Sequence, residues 1–147
     1  MSSYLNFYLV PKKKEGQKSD PKPLRVASFS RGSELYYRCS QTLNPAWAGN
    51  GDEPLYSEFT ASDANNLAND AKDDLQKARK RIEDASNAYK SLTMLTSEQI
   101  DSYVQEYTSM SDYIKELEKE VAILEHIAGI VEDLEYSDFE KVLINID

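Results

Sequence analysis

From Ala64 to Val131, apolar residues recur every three or four positions with almost no break. The first run is Ala64, Ala68, Ala71, Leu75, Ala78, Ile82, Ala85, Tyr89 and Leu92. The second is Ile100, Tyr103, Tyr107, Met110, Ile114, Leu117, Val121, Leu124, Ala128 and Val131. Steps alternating between three and four average about 3.5, the repeat of a coiled-coil seam. Thr93, Met94, Leu95 and Thr96 lie between the runs and suffice for a tight connection. The pattern predicts two long antiparallel helices from one chain. Alanines of the first run would face Tyr107, Met110, Ile114 and Leu117 of the second, so that small side chains meet large ones. The alternative is the same seam formed between two chains. At 1.5 Å per residue each helix would be about 50 Å long, and the turn end is expected to project from the remainder.

Both helices announce their starts. Thr60 is placed to cap the first, with Asp63 in the return position and Phe59 and Ala64 as a staple. Thr96-Ser97-Glu98-Gln99 has the same capping-box spacing for the second. Neither Gly nor Pro interrupts residues 55–128. A second apolar stripe, Ile123, Ile127, Ile130 and Leu134, runs beside the seam, and Leu67 adds to it on the first helix. Two apolar faces there predict burial against something besides the partner helix.

That something is expected from the ends of the chain. Tyr4 to Val10 alternates as a strand until Pro11. Pro11 to Pro23 holds no apolar anchor and reads as a mobile loop. Leu24 to Ser30 forms a second strand, expected to pair with the first. Leu35, Cys39 and Leu43 mark the buried stripe of a short helix that starts near Ser30 or Ser33 and stops at Asn44-Pro45. Ala46 to Glu53 reads as a loop pinned by Trp47, and Leu55 to Phe59 as an extended link. Glu140 to Asp147 alternates as a closing strand. The predicted fold is α+β and helix-dominated. A three-stranded sheet with a short helix (residues 1–59 and 135–147) forms the base of a long antiparallel two-helix coiled-coil hairpin (60–134), all in a single domain, 1–147.

The net charge of −9 is unevenly distributed. Residues 1–60 carry a small positive excess, and the acids are concentrated in 61–147. An acidic hairpin repels phosphate backbones, which argues against nucleic acid along its length and for a partner with a basic surface. Its plainer meaning is a solvated helix face. The single cysteine, Cys39, allows no intrachain disulfide and favours a reduced, cytoplasmic setting. The opening residues lack the form of a signal peptide, and no apolar stretch approaches the roughly 20 residues needed to span a bilayer. No membrane association is expected.

No constellation for chemistry is visible. His126 is the only histidine and lacks a second imidazole for a metal box. It reads as a surface residue. Cys39 lies on an apolar stripe and reads as packed. Paired acids such as Asp73-Asp74 fall on exposed faces. An enzyme is therefore not expected, nor a cofactor or metal. Two features stand out. Ser30, Arg31, Gly32 and Ser33 combine hydroxyls, a glycine, an arginine and a helix start, the elements of an anion site. Tyr36, Tyr37 or Trp47 could stack on a base nearby. The simpler reading is ordinary capping with Arg31 in an ion pair. The second feature is Lys12, Lys13 and Lys14, which could meet an acidic protein or simply keep a loop soluble. Among the tyrosines Tyr113 falls just off the seam, making it a candidate interface residue.

Tyr4-Leu5-Asn6-Phe7-Tyr8-Leu9-Val10-Pro11-Lys12-Lys13, Ser28-Phe29-Ser30-Arg31 with Glu34-Leu35-Tyr36, and Leu43-Asn44-Pro45-Ala46 resemble small accessory proteins of tailed bacteriophages. The resemblance covers the first third of the chain and the general pattern of two helices and a closing strand. It implies a setting in the infected bacterial cytoplasm. The expected function is a non-enzymatic interaction protein that binds a host or viral protein, as an inhibitor of host defence or an assembly factor. A homo-oligomer also fits the seam. The rival is a small-ligand binder that sequesters a nucleotide-like signal at Ser30–Ser33.

Overall fold

The computed structural model describes residues 3–49, 53–92 and 94–147. Thr93 of the expected turn, residues 50–52 of the Trp47 loop and the first two residues lie outside the described residues. The fold is α+β, with a four-stranded antiparallel sheet and three α-helices. In chain order these are β1 (Tyr4–Pro11), β2 (Leu24–Ser30), α1 (Glu34–Leu43), β3 (Ser57–Phe59), α2 (Ala61–Lys90), α3 (Ser97–Glu132), a 3₁₀ turn (Leu134–Tyr136) and β4 (Phe139–Ile146). Two compact units divide the chain, one of Met1–Leu67 with Ile123–Asp147 and the other of Ala68–Ala122. Among the described residues no helix is long and apolar enough to cross a membrane.

In the first unit the sheet order is β2-β1-β4-β3. The two N-terminal strands pair across the lysine-rich loop, and β4 pairs with β1 on its other side. The sheet has four strands where the sequence predicts three. Ser57–Phe59, read as a link, pairs antiparallel with β4, Ser57 opposite Ile144 and Phe59 opposite Val142. Three residues are too few to show alternation. What fixes them is Phe59, which falls on the apolar face of β4 and is 1% exposed. Leu5, Phe7, Val142, Ile144 and Ile146 fill the same face. Phe7 stands edge-on to Phe29 at 5.7 Å and to Phe59 at 5.4 Å, tying three strands together. The helices of this unit bury Leu35 and Cys39 from α1, Ala64 and Leu67 from α2, and Leu124, Ile127 and Ala128 from α3.

The opposite face is not uniformly open. Asn6 and Asn145 face each other in register and are fully buried. Asn6 Nδ2 donates to Asn145 Oδ1 at 3.2 Å, and the Tyr8 hydroxyl donates to the same oxygen at 3.2 Å. Ser28 Oγ donates to Asn6 Oδ1 at 2.6 Å, and Asn145 Nδ2 donates to the Leu55 carbonyl at 3.1 Å. The Tyr56 ring meets Tyr8 edge-on at 5.0 Å. Each buried amide thus has partners, as burial requires.

The second unit holds two antiparallel helical segments. Leu75, Ala78 and Leu117 are buried together, with Met110, Tyr113 and Ile114 packed on them. Arg79 bonds Glu118 at 3.1 Å, and Tyr89 lies 4.4 Å from Tyr103. Both capping boxes close reciprocally. Thr60 N donates to Asp63 Oδ2 and Asp63 N to Thr60 Oγ1; Thr96 N donates to Gln99 Oε1 and Gln99 N to Thr96 Oγ1. Thr60→Ala or Thr96→Ala should each lower stability by about 1 kcal/mol in urea melts, and Thr→Ser by much less.

Candidate functional site

The helix start that the sequence marks as an anion site is closed on itself. Ser33 is the N-cap of α1: its Oγ accepts from Tyr36 N at 3.2 Å and donates to the Ser30 carbonyl at 2.8 Å. Ser33 N also bonds the Ser30 carbonyl, Tyr37 N bonds the Ser33 carbonyl, and Arg31 N bonds the Ser3 carbonyl. Glu34 opens the helix with a negative charge. A Cβ at Gly32 would meet nothing within 4 Å, so no close approach demands that glycine. Ser30, Gly32 and Ser33 thus serve the turn.

Arg31, Tyr36 and Trp47 are brought together elsewhere. They line a cleft of about 890 Å³ that runs along α1 to the end of β4. Tyr37 beside Tyr36, Gln41 about one turn further along and Asn44 at the helix end complete that wall, and Ser3 and Asp147 close the far side. The Ser3 hydroxyl donates to the Asp147 carbonyl at 2.8 Å, which leaves the Tyr36 hydroxyl to donate to Ser3, also at 2.8 Å. Asn44 ends α1 in the left-handed conformation, with φ at 47°. This turns the chain so that Ala46–Ala48 can run beside β4. Ile146 N bonds the Ala46 carbonyl at 2.9 Å and Ala48 N bonds the Ile146 carbonyl at 2.7 Å. Trp47 is held by the backbone on either side of it, not by its indole, which is 60% exposed. Tyr37 is 63% exposed.

The second candidate lies in the other unit. Leu92, Met94, Leu95, Ile100, Val104 and Tyr107 are all between 42% and 86% exposed, a concentration of large apolar side chains around the connection between the helices. For Ile100 the cause is unequal helix length. Arg79 sits opposite Glu118 and Tyr89 opposite Tyr103, so α2 ends at Lys90 while the first turn of α3, holding Ile100, runs on with no helix facing it. Val104 lies one turn beyond, off the seam. Exposed carboxylates at Glu98, Asp101, Glu106 and Asp112 surround the row.

The remaining candidates sit as follows. Tyr113 is half-buried on the Leu75–Ala78–Leu117 cluster and so faces the seam. Lys12 is tied down through its backbone N to Asp138 and its Nζ to the Glu135 carbonyl. Lys13 lies 3.6 Å from Asp20, and Lys14 is exposed. His126 is exposed on α3 at the edge of an apolar hollow of about 530 Å³ that includes Leu9, Ile130 and Phe139. Among the described residues no group of His, Cys, Asp and Glu is arranged to hold a metal ion. No protein-family model, no curated protein and no solved structure matches the chain.

Proposed function

We propose that the chain is a non-enzymatic binding module for another protein and that it makes contact through the turn end of the helical pair. The observation that carries this reading is the row of exposed apolar side chains from Leu92 to Tyr107. Contiguous apolar surface in water is unfavourable, and where it persists it marks a contact site. Residues 83–112 contain six acids, Glu83, Asp84, Glu98, Asp101, Glu106 and Asp112, and one base, Lys90. An apolar strip bordered by carboxylates fits a partner segment that is apolar and basic. The same charges disfavour a second copy, because self-pairing would press like charges together; the protein should run as a monomer in light scattering. The resemblance noted above makes the partner a host or viral protein in the bacterial cytoplasm, and inhibition or assembly its consequence.

A photo-crosslinking residue at Val104 tests this in the full chain, with an exposed control at Gln76. In a bacterial lysate Val104 should trap one defined partner and Gln76 should not. Ile100→Asp with Tyr107→Asp should reduce the adduct by at least about tenfold, since truncated or charged hot spots each remove about 1–2 kcal/mol or more. High salt should weaken it further. Equal labelling from both positions, or none from either, would count decisively against the proposal.

A further inference from the structure

We infer that the cleft between α1 and the end of β4 binds a nucleoside monophosphate, the base lying against Trp47 and Tyr37 and the phosphate held by Arg31. This site is independent of the protein-binding strip. Its first support is Trp47. An indole left more than half in water forgoes the burial that usually places tryptophan. Here it does so on a backbone fixed at both neighbours by β4, so the ring is presented by an ordered scaffold. Tyr37, from a different element, exposes a second large ring to the same cleft. Two aromatic faces on one cavity accept a planar ring, and stacking tolerates any base. Gln41 and Asn44 bring side-chain amides, each both donor and acceptor, which suits the heteroatom edge of a base.

The charges set the number of phosphates. Among the described residues Arg31 is the only Lys or Arg lining the cleft, and its guanidinium fork matches a phosphate. Asp147 also lines it; its Oδ1 accepts from Tyr4 N at 3.2 Å and its main-chain oxygen from Ser3 Oγ at 2.8 Å. A single guanidinium suits one phosphate group and supplies too little positive charge for a triphosphate or a nucleic-acid strand. A volume of about 890 Å³ lies within the range for small-ligand sites and admits a nucleotide.

Trp47 is the only tryptophan, so its fluorescence reports on this cleft alone. Titration of the full chain with AMP should quench it along a saturable curve in the micromolar to millimolar range. Arg31→Ala should weaken AMP at least about tenfold and leave adenosine unchanged, because only the phosphate contact is lost. Arg31→Lys should recover part of the loss. Tyr37→Ala should weaken AMP and adenosine alike, and Tyr37→Leu provides the same test should the alanine variant fold poorly. A linear, unsaturated response, an identical curve for Arg31→Ala, or tighter binding of a short oligonucleotide than of AMP would each overturn the assignment.

Discussion

Phe7→Ala is expected to cost about 3–5 kcal/mol of stability. The side chain is 2% exposed and packs edge-on against Phe29 and Phe59. Its backbone neighbours across the sheet are Ala27 on β2 and Ile144 on β4. Removing the ring opens a cavity bounded by strands on both sides, and a hydrogen-bonded sheet has little freedom to close it. The aromatic contacts are lost along with the apolar burial. Set against a total stability of about 5–15 kcal/mol, this is a large share, and the melting temperature should fall by roughly 10–15 °C. Urea denaturation followed by circular dichroism measures it as a shift in midpoint at constant slope. Phe7→Leu refills most of the volume and should cost far less. A loss below about 1 kcal/mol for Phe7→Ala would contradict the three-strand packing described here.

How much of this architecture is readable from sequence depends on how many residues carry each signal. The two long helices are legible because nineteen positions repeat one period and because Thr60/Asp63 and Thr96/Gln99 are written in capping spacing. β3 is not, since three residues cannot show alternation and the buried Phe59 has meaning only beside β4. Periodicity also cannot report the length of the partner helix. Ile100 has seam spacing yet lies exposed, as α2 stops at Lys90; Tyr107 is also exposed although it sits one turn past the Tyr89–Tyr103 pair, where α2 is still present. Tyr113 reads as off the seam by a single position but packs on the Leu75–Ala78–Leu117 cluster.

The cleft shows the same division. Arg31, Tyr36, Tyr37 and Trp47 stand out by residue type, and the fold gathers them. The sequence places them around the helix start, where the Ser33 hydroxyl accepts from Tyr36 N and donates to the Ser30 carbonyl. Gln41 and Asn44 belong to the site through the pitch of α1 and its left-handed end at Asn44, and Trp47 through a parallel bridge to Ile146. That bridge joins residues 99 positions apart, and no local pattern encodes it. Function resting on such a meeting of distant segments is visible only after folding.

Asn145 presents a sharper case, because its burial runs against its residue type. Asn145→Ala should cost about 2–3 kcal/mol, chiefly because it strands the fully buried Asn6 amide, while the part-buried Tyr8 hydroxyl and Leu55 carbonyl lose a partner that water can replace. Asn6→Ala alone should cost about 2 kcal/mol, for it strands Ser28 Oγ and one lone pair of Asn145. The double variant should cost at least about 1 kcal/mol less than the two singles together, because the Asn6–Asn145 bond can be lost only once. Strict additivity in urea melts would show that the two amides do not act as a unit. Tyr8→Phe supplies a pH test of the same network. Burial raises the Tyr8 phenol above its ordinary value of 10.0, although the bond to Asn145 opposes the shift. The unfolded phenol therefore ionises first, and the Tyr8 contribution, intact below pH of about 10, is lost as pH climbs through the higher folded value. Tyr8→Phe should be less stable than the parent at neutral pH by about 1 kcal/mol and should lose less on going to alkaline pH. Parallel alkaline curves for the two proteins would remove Tyr8 from the buried network.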